Sequence, residues 1–170
     1  MSVFDLDKSL ESAQARLGKD VPKARKRRSD AGGTRLAAPV ASELCRLLGG
    51  TDRPAIREVE RQLRAFCKER NLRSPARATV YRFMTEIPVH EYRVADLPDA
   101  VRAALYNLDP RSRVPGHQLV FYAFNYGDAR AMSFASALPW LDLYQAARMR
   151  GWRPMSLGPL CAAIRQRGIE

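Results

Sequence analysis

Four arginines and no acidic residue lie in the short segment from Arg70 to Arg82. A guanidinium group donates paired hydrogen bonds to phosphate oxygens and to the edge of guanine, and an ammonium group cannot match that geometry. On a helix, Arg77, Tyr81 and Thr85 would share one side, while the apolar residues of the segment would face the other way. The segment therefore predicts a helix that presents guanidinium groups to an anionic partner.

The contacts expected of this helix are of two kinds. Arginine reads guanine edges and alanine can touch a thymine methyl group, whereas tyrosine and serine hydroxyls hold phosphates. Free amides at the start of the helix, near Ser74, would add a phosphate contact. An ordinary exposed helix that happens to be basic is the simpler alternative. The residues of this segment that we expect at nucleic acid are Arg70, Arg73, Ser74, Arg77, Ala78, Tyr81 and Arg82.

The string Ser74-Pro-Ala-Arg-Ala-Thr-Val-Tyr-Arg82 resembles the second helix of helix-turn-helix DNA-binding domains. Members of that superfamily often have a small polar residue followed by Thr-Val-Tyr-Arg or a close variant. The resemblance covers residues 39 to about 95 and is at superfamily level only. It implies a three-helix unit that reads the major groove of duplex DNA. Residues 90–94 alternate and predict a short strand, which would make the unit winged if it pairs.

Start and stop signals predict the elements that position this helix. Pro39 suits the first turn of a helix that runs to Gly49-Gly50, and Asp52 is the expected N-cap of a second helix. Ser74 is the expected N-cap of the third helix, with Pro75 in its first turn. We expect the apolar face of the third helix to pack on the two helices before it.

Residues 1–37 are expected to form a basic, largely disordered arm. A basic run from Lys19 to Arg28 is followed by a Gly-rich joint, and this composition cannot bury a core. The arm would hold the phosphate backbone or enter a groove, or it would be a solvated linker, and the residues do not separate the two. The arm residues that we expect at nucleic acid are Lys23, Arg25, Lys26, Arg27 and Arg28.

The fold class predicted is mostly α, with a helix-turn-helix unit at 38–95 and a small helical unit at 96–170. Residues 109–116 are expected to be a loop, and residues 118–124 are apolar nearly all round and favour a buried helix. Further helices are expected near residues 129–136, 139–150 and 156–167.

The second helical unit is expected to mediate oligomerisation or to bind a partner rather than to read DNA. Residues 129–148 fit a helix-turn-helix pattern only weakly, because Ser136 is polar where a core aliphatic is usual. Trp140, Tyr144 and Trp152 are better explained as anchors of the core or of a partner interface, since large aromatics dominate both.

The sequence predicts no metal site, no cofactor and no enzyme. Three cysteines lie far apart without a CxxC pair, and their places on predicted apolar faces indicate core residues. His90 precedes Glu91, but neighbouring residues of a strand face opposite ways, so the two form no dyad. No signal peptide begins the chain, and the longest apolar run, 119–124, is too short for a bilayer, so a cytoplasmic location without membrane contact is expected.

Net charge indicates the class of partner. The chain carries +11 with a pI near 10.2, and 24 of its 29 basic residues are Arg. This is the electrostatic footprint of a nucleic-acid-binding protein, although a genome rich in Arg codons would give a similar balance. The leading hypothesis is a sequence-specific regulator of transcription that binds double-stranded DNA, acts as a repressor, and forms a homodimer to read two half-sites.

Two alternatives stay open. The first is a protein-interaction module, such as an antitoxin or adaptor, whose C-terminal helices hold another protein. The second is an RNA-binding protein that uses its Arg-rich segments. No exposed aromatic pair on alternating strand positions can be found for stacking single-stranded bases, which counts against the second.

Overall fold

A computed structural model of the protein describes residues 36–169, which are mostly helical, as the sequence predicts. These residues form eight α-helices and one two-stranded antiparallel sheet. A short 3-10 turn at Val94–Asp96 follows the first strand. In chain order the elements are α1 (Ala38–Leu48), α2 (Ile56–Glu69), α3 (Arg77–Glu86), β1 (Glu91–Arg93), α4 (Asp99–Ala104), β2 (Arg113–Pro115), α5 (Gly116–Tyr126), α6 (Ala129–Ser136), α7 (Trp140–Ala146) and α8 (Pro154–Gln166).

Helix α1 begins and ends where the sequence predicts. Pro39 lies in its first turn, where a missing amide costs little, and the helix stops before Gly49. Val40, Leu44 and Leu48 recur every four residues, and all three are buried. This face packs α1 against α2.

Helix α2 begins later than the predicted cap at Asp52. Its first residue is Ile56, and Asp52 forms no side-chain cap. Pro54 pushes Arg53 towards extended backbone, so the helix cannot begin before the proline. After the helix, Asn71 takes a left-handed φ of 52°, which turns the chain away from the helix axis.

Helix α3 also begins later than predicted and packs differently. Its first residue is Arg77, because extended backbone continues through Ala76, so Ser74 is not its N-cap. The connection from α2 is therefore seven residues long (70–76), against three or four in a helix-turn-helix. The buried face of α3 carries Phe83, and its main packing partner is α7 rather than the two helices before it.

The predicted strand at 90–94 is present and pairs with a strand that the sequence did not indicate. Tyr92 of β1 lies opposite Val114 of β2 in an antiparallel register. The segment expected to be a loop at 109–116 thus contains β2, which is only three residues long and includes a proline. The nineteen residues between the strands hold α4, so the pair is not a simple wing hairpin.

The predicted helix at 118–124 is confirmed as part of α5, and α6, α7 and α8 correspond to the three helices expected after it. One cluster of buried side chains runs from Val40 to Ile169. This cluster crosses the expected division at residues 95 and 96, so residues on both sides of it share one core.

Helix α7 lies at the centre of that core, and all seven of its residues are buried. Trp140 donates from Nε1 to the carbonyl O of Leu48 over 3.0 Å, which fixes α7 to the end of α1. Trp140 is fully buried and Tyr144 is 8% exposed, so of the two expected roles these residues take the one in the core rather than the one at a partner interface. Trp152 is half-buried and donates to the carbonyl O of Ala146 over 3.1 Å.

The three cysteines meet the expectation of core residues to different degrees. Cys67 is buried in the α2 face, Cys45 is half-buried, and Cys161 is exposed. Cys161 is therefore not a core residue, since in α8 the buried positions are taken by neighbours such as Leu160.

A buried carboxylate joins three elements of the fold. Asp142 of α7 is 1% exposed, and its Oδ1 lies 3.2 Å from His90 Nδ1. Tyr92 donates to Asp142 Oδ2 over 3.1 Å, while His90 Nε2 lies 3.0 Å from the carbonyl O of Gly49. Burial raises the pKa of Asp142, and the charge and hydrogen bonds of its partners oppose that shift. The end of α1, strand β1 and α7 are thereby held together.

Glycine is required where α5 begins. A Cβ atom on Gly116 would overlap the carboxyl group of Asp142. We expect Gly116→Ala to lower the free energy of unfolding by about 1–3 kcal/mol, as overpacking of a core does. Urea unfolding followed by circular dichroism measures the change.

The matched control for that substitution is Gly50→Ala, at an exposed position just after α1. A Cβ built on Gly50 would lie 3.9 Å from the carbonyl O of Asp52, an ordinary contact, so the change should leave stability within about 0.5 kcal/mol of the wild type. Equal stability of Gly116→Ala and the wild type would show that Asp142 does not pack against this backbone.

Alkaline pH should weaken the same network. Burial and the Asp142 carboxylate raise the pKa of Tyr92 above its ordinary value. The folded state therefore holds this proton more tightly, so the stability that Tyr92 contributes is present below about pH 10 and lost as the pH rises further. Urea midpoints measured from about pH 8 to about pH 11 should fall less steeply for Tyr92→Phe than for the wild type.

At the lower pH, Tyr92→Phe should already be less stable by about 1–3 kcal/mol, because Asp142 loses a donor. Tyr106→Phe is the control, since Tyr106 is 74% exposed. The interpretation fails if both phenylalanine variants follow the wild-type profile.

Candidate nucleic-acid interface

Helix α2 carries a stripe of positive charge on its exposed side. Arg57, Arg61, Arg64 and Lys68 are spaced by four, three and four residues, which places them on one face of the helix. All four are exposed, and the buried residues of α2 lie on the other side. We call these four residues the α2 stripe. None of these four residues is among those expected at nucleic acid from the sequence, although their spacing is visible there.

The α2 stripe meets the start of α3 in one depression. Three stripe arginines and Arg77 line a cavity of about 400 Å³ together with Glu60. Arg77 Nε lies 3.3 Å from Glu60 Oε1, and the Glu60 side chain is only 14% exposed. A partly buried carboxylate therefore holds the guanidinium of Arg77 at the edge of the stripe.

The solvent side of α3 presents most of the side chains that the sequence predicts there. Arg77, Ala78 and Arg82 are exposed, while Tyr81 is half-buried. Arg77 donates from Nη2 to the Tyr81 hydroxyl over 3.3 Å, and Arg82 donates from Nε to Glu86 over 2.6 Å. In the fold each of the two predicted base-reading arginines has an acidic neighbour, Glu60 for Arg77 and Glu86 for Arg82. Neither acid belongs to the segment from 70 to 82.

The connection between α2 and α3 places the other predicted residues elsewhere. Arg73 and Ser74 are exposed and line a second cavity, of about 480 Å³, with Leu36 and Thr79 among its other walls. The guanidinium of Arg70 lies 4.5 Å from the centre of the Phe66 ring. The structure therefore joins Arg77 to the α2 stripe and assigns Arg73 and Ser74 to a separate depression.

Positive charge remains in excess after the ion pairs are counted. Residues 52–86 contain nine basic and five acidic side chains, and these include the acids that pair with Arg61, Arg77 and Arg82. Arg61 donates to Glu58, and the hydrogen bonds from Arg61 and Gln62 lower the pKa of Glu58 to about 2. Solvent screens exposed pairs of this kind and they contribute little to stability, so these arginines can exchange a carboxylate for a phosphate at little cost.

The start of α3 adds backbone donors to this surface. Its N-cap is Ala76, which has no side-chain acceptor for the first amides of the helix. Such amides, together with the positive end of the helix dipole, favour an anion. The arm residues predicted at nucleic acid, namely Lys23, Arg25, Lys26, Arg27 and Arg28, lie outside the described residues.

His90 has a partner that the sequence analysis missed. Glu91 is not its partner, as expected, but Asp142 is, although it lies fifty-two residues further along the chain. Both ring nitrogens of His90 contact acceptors within the fold, and this favours a structural role for the pair. Within residues 36–169 no cluster of three metal-binding side chains is found, and no helix there is long and apolar enough to cross a membrane.

Comparison of the chain with protein-family models, with curated proteins and with solved structures gave no match in any of the three.

Proposed function

We propose that the protein binds double-stranded DNA with the surface formed by the α2 stripe and the exposed side of α3. The observation that carries this proposal is the convergence of three stripe arginines and Arg77 on one depression. The stripe extends over about 16 Å, at 1.5 Å per residue, along a helix whose other side is fixed in the core. Duplex DNA presents about one negative charge per 1.7 Å, so a row of cations of this length can lie along its backbone.

The two helices would have different roles in this binding. The α2 stripe would lie along phosphates and contribute affinity without sequence preference. Helix α3 would enter the major groove, where Arg77 and Arg82 can donate to guanine and Ala78 can touch a thymine methyl group. Helix α3 would be held in place by its packing on α7 and not by a short connection to the helix before it. In this respect it would differ from the second helix of a helix-turn-helix domain.

A regulator of transcription is the function that this arrangement best fits. One helix reads only a few base pairs, so a homodimer on two half-sites would supply the specificity that a repressor needs. Occlusion of a promoter by such a dimer requires no catalytic residue and no cofactor.

Loss of the two α3 arginines should weaken duplex binding and make it less sensitive to salt. We expect Arg77→Ala with Arg82→Ala to reduce affinity for a duplex of about 30 base pairs by roughly tenfold or more. The slope of log affinity against log salt should become shallower by about one unit for each lost phosphate contact. Fluorescence anisotropy across a salt titration measures both quantities.

The charge-matched control is Arg102→Ala with Arg130→Ala, on α4 and α6, which pack against each other. Both of these arginines are exposed, so the control removes the same charge from another surface. Because Arg77→Ala takes from Glu60 the nearer of its two cations, and Arg64 lies 3.9 Å away, Arg77→Ala is also measured together with Glu60→Gln. Equal weakening by the control and test pairs would mean that net charge alone acts, and an absence of duplex binding at low salt would end the proposal.

Removal of the acid in the depression should have the opposite effect. Glu60→Gln keeps the shape of the side chain and removes its charge, so affinity for duplex should rise about two- to fivefold. Asp96→Asn, at an exposed position in the 3-10 turn, is the matched control and should change affinity less. An unchanged affinity of Glu60→Gln in the same anisotropy titration would show that phosphates do not approach this depression.

A further inference from the structure

A second surface of the protein carries aromatic rings in mutual contact. Tyr106 lies just after α4, and its ring is 6.2 Å from that of Tyr126 at the end of α5. Tyr126 contacts Tyr122 at 5.8 Å, Phe121 contacts Tyr122 at the same distance, and Trp152 lies 4.8 Å from Phe121. We call these five residues the aromatic ladder.

The outer end of the aromatic ladder is open to solvent. Tyr106 is 74% exposed and Tyr126 is 40% exposed, whereas Tyr122, Phe121 and Trp152 are half-buried. The inner rings therefore anchor the outer ones to the core. Rings fixed in this way lose little conformational freedom when a flat partner stacks on them.

A cation is fixed beside the exposed rings. The guanidinium of Arg153 lies 4.2 Å from the centre of the Tyr126 ring. Arg153 donates from Nη1 to the carbonyl O of Asn125 over 3.0 Å, and its backbone amide donates to the Asn125 side chain over 3.1 Å. These bonds hold a positive charge next to the ladder without an acidic partner in either contact.

We propose that the aromatic ladder binds the unpaired bases of single-stranded nucleic acid. Aromatic side chains stack on any base because every base has a π-face, and a nearby arginine contributes a phosphate or cation–π contact. The chain as a whole carries +11, a net charge that favours association with a polyanion. In a duplex the base faces are covered by their neighbours, so this surface selects single strands and is independent of the DNA-binding surface of α2 and α3.

The polar edges of the ladder favour nucleic acid over a protein partner. Its exposed members are tyrosines with hydroxyl groups and an arginine, whereas the buried centre of a protein interface is depleted of charge. Met155, 82% exposed, lines the same depression as Tyr126 and Arg153. A protein partner would bury this methionine, and a stacked base would not need it, so Met155 separates the two partners experimentally.

The experiment uses the full chain and fluorescein-labelled oligonucleotides of about 15 thymidines or uridines, because one small site covers about 4–16 nucleotides. Anisotropy at low salt gives the dissociation constants. We expect Tyr106→Ala and Tyr126→Ala each to weaken binding about tenfold, as loss of one stacking ring does, while the phenylalanine variants stay close to the wild type. The thymidine and uridine probes show whether the surface distinguishes DNA from RNA.

Tryptophan fluorescence gives a second readout of the same event. Trp140 is fully buried and Trp152 belongs to the ladder, so quenching on addition of oligonucleotide should report on Trp152 and disappear in Trp152→Phe. The pair of Arg77→Ala and Arg82→Ala should keep this quenching even if it loses duplex binding. Failure at one surface is therefore distinguishable from failure at the other.

Three outcomes would overturn the proposal. The first is wild-type affinity for single strands in a double variant of Tyr106→Ala and Tyr126→Ala that melts at the wild-type temperature. The second is a loss of binding in Met155→Ala equal to that in Tyr106→Ala, which would indicate general apolar docking. The third is a ladder variant that changes only the oligomeric state in sedimentation, which would assign the ladder to a contact between copies of this chain.

Discussion

The arrangement of the whole fold depends on one buried carboxylate. An isolated ionised group at the depth of Asp142 would cost several kcal/mol, so it has to be paired and hydrogen-bonded. His90 and Tyr92 supply those bonds, and both come from β1 or its edge. For them to reach Asp142, the strand must lie against α7, and Gly116 must leave the carboxyl group room at the start of α5. The pairing of β1 with β2 then follows, because β2 leads directly into Gly116.

The same helix connects this constraint to the exposed arginines. Three residues beyond Asp142, Gln145 donates to the carbonyl oxygens of Met84 and Ile87 over 2.8 Å each. Met84 lies in the last turn of α3 and Ile87 is its C-cap, where carbonyl groups have no partner within the helix. Helix α7 therefore holds the end of α3 with one polar side chain and the strand with another. These contacts between α7 and the end of α3 fix the direction in which Arg77 and Arg82 face solvent. The exposed side of α3 is therefore held rigidly by the core.

How much the sequence predicts depends on whether burial is one-sided. Helix α1 has a single buried face, and its four-residue spacing from Val40 to Leu48 identified the helix and its bounds. Helix α7 is buried on every side, so no periodicity marks it, and Trp140 could not be assigned to core or interface beforehand. The pairing of His90 with Asp142 spans fifty-two residues, and no local pattern encodes it. The α2 stripe is the opposite case, since the four- and three-residue spacing of its cations is a local pattern that the sequence contains in full.

The two proposed surfaces would differ in the energy that they use, and the structure accounts for the difference. Around Arg77 the surface consists of exposed guanidinium groups, so association would depend on counterion release and would weaken steeply as salt rises. At the aromatic ladder the outer rings of Tyr106 and Tyr126 are supported by a half-buried inner row, so the contact would come mainly from stacking, which releases few ions. Among residues 36–169, Arg153 is the arginine that lies over a ladder ring. Binding at both surfaces would therefore weaken as salt rises, but less steeply at the aromatic ladder, because stacking would supply a larger share of the binding energy there.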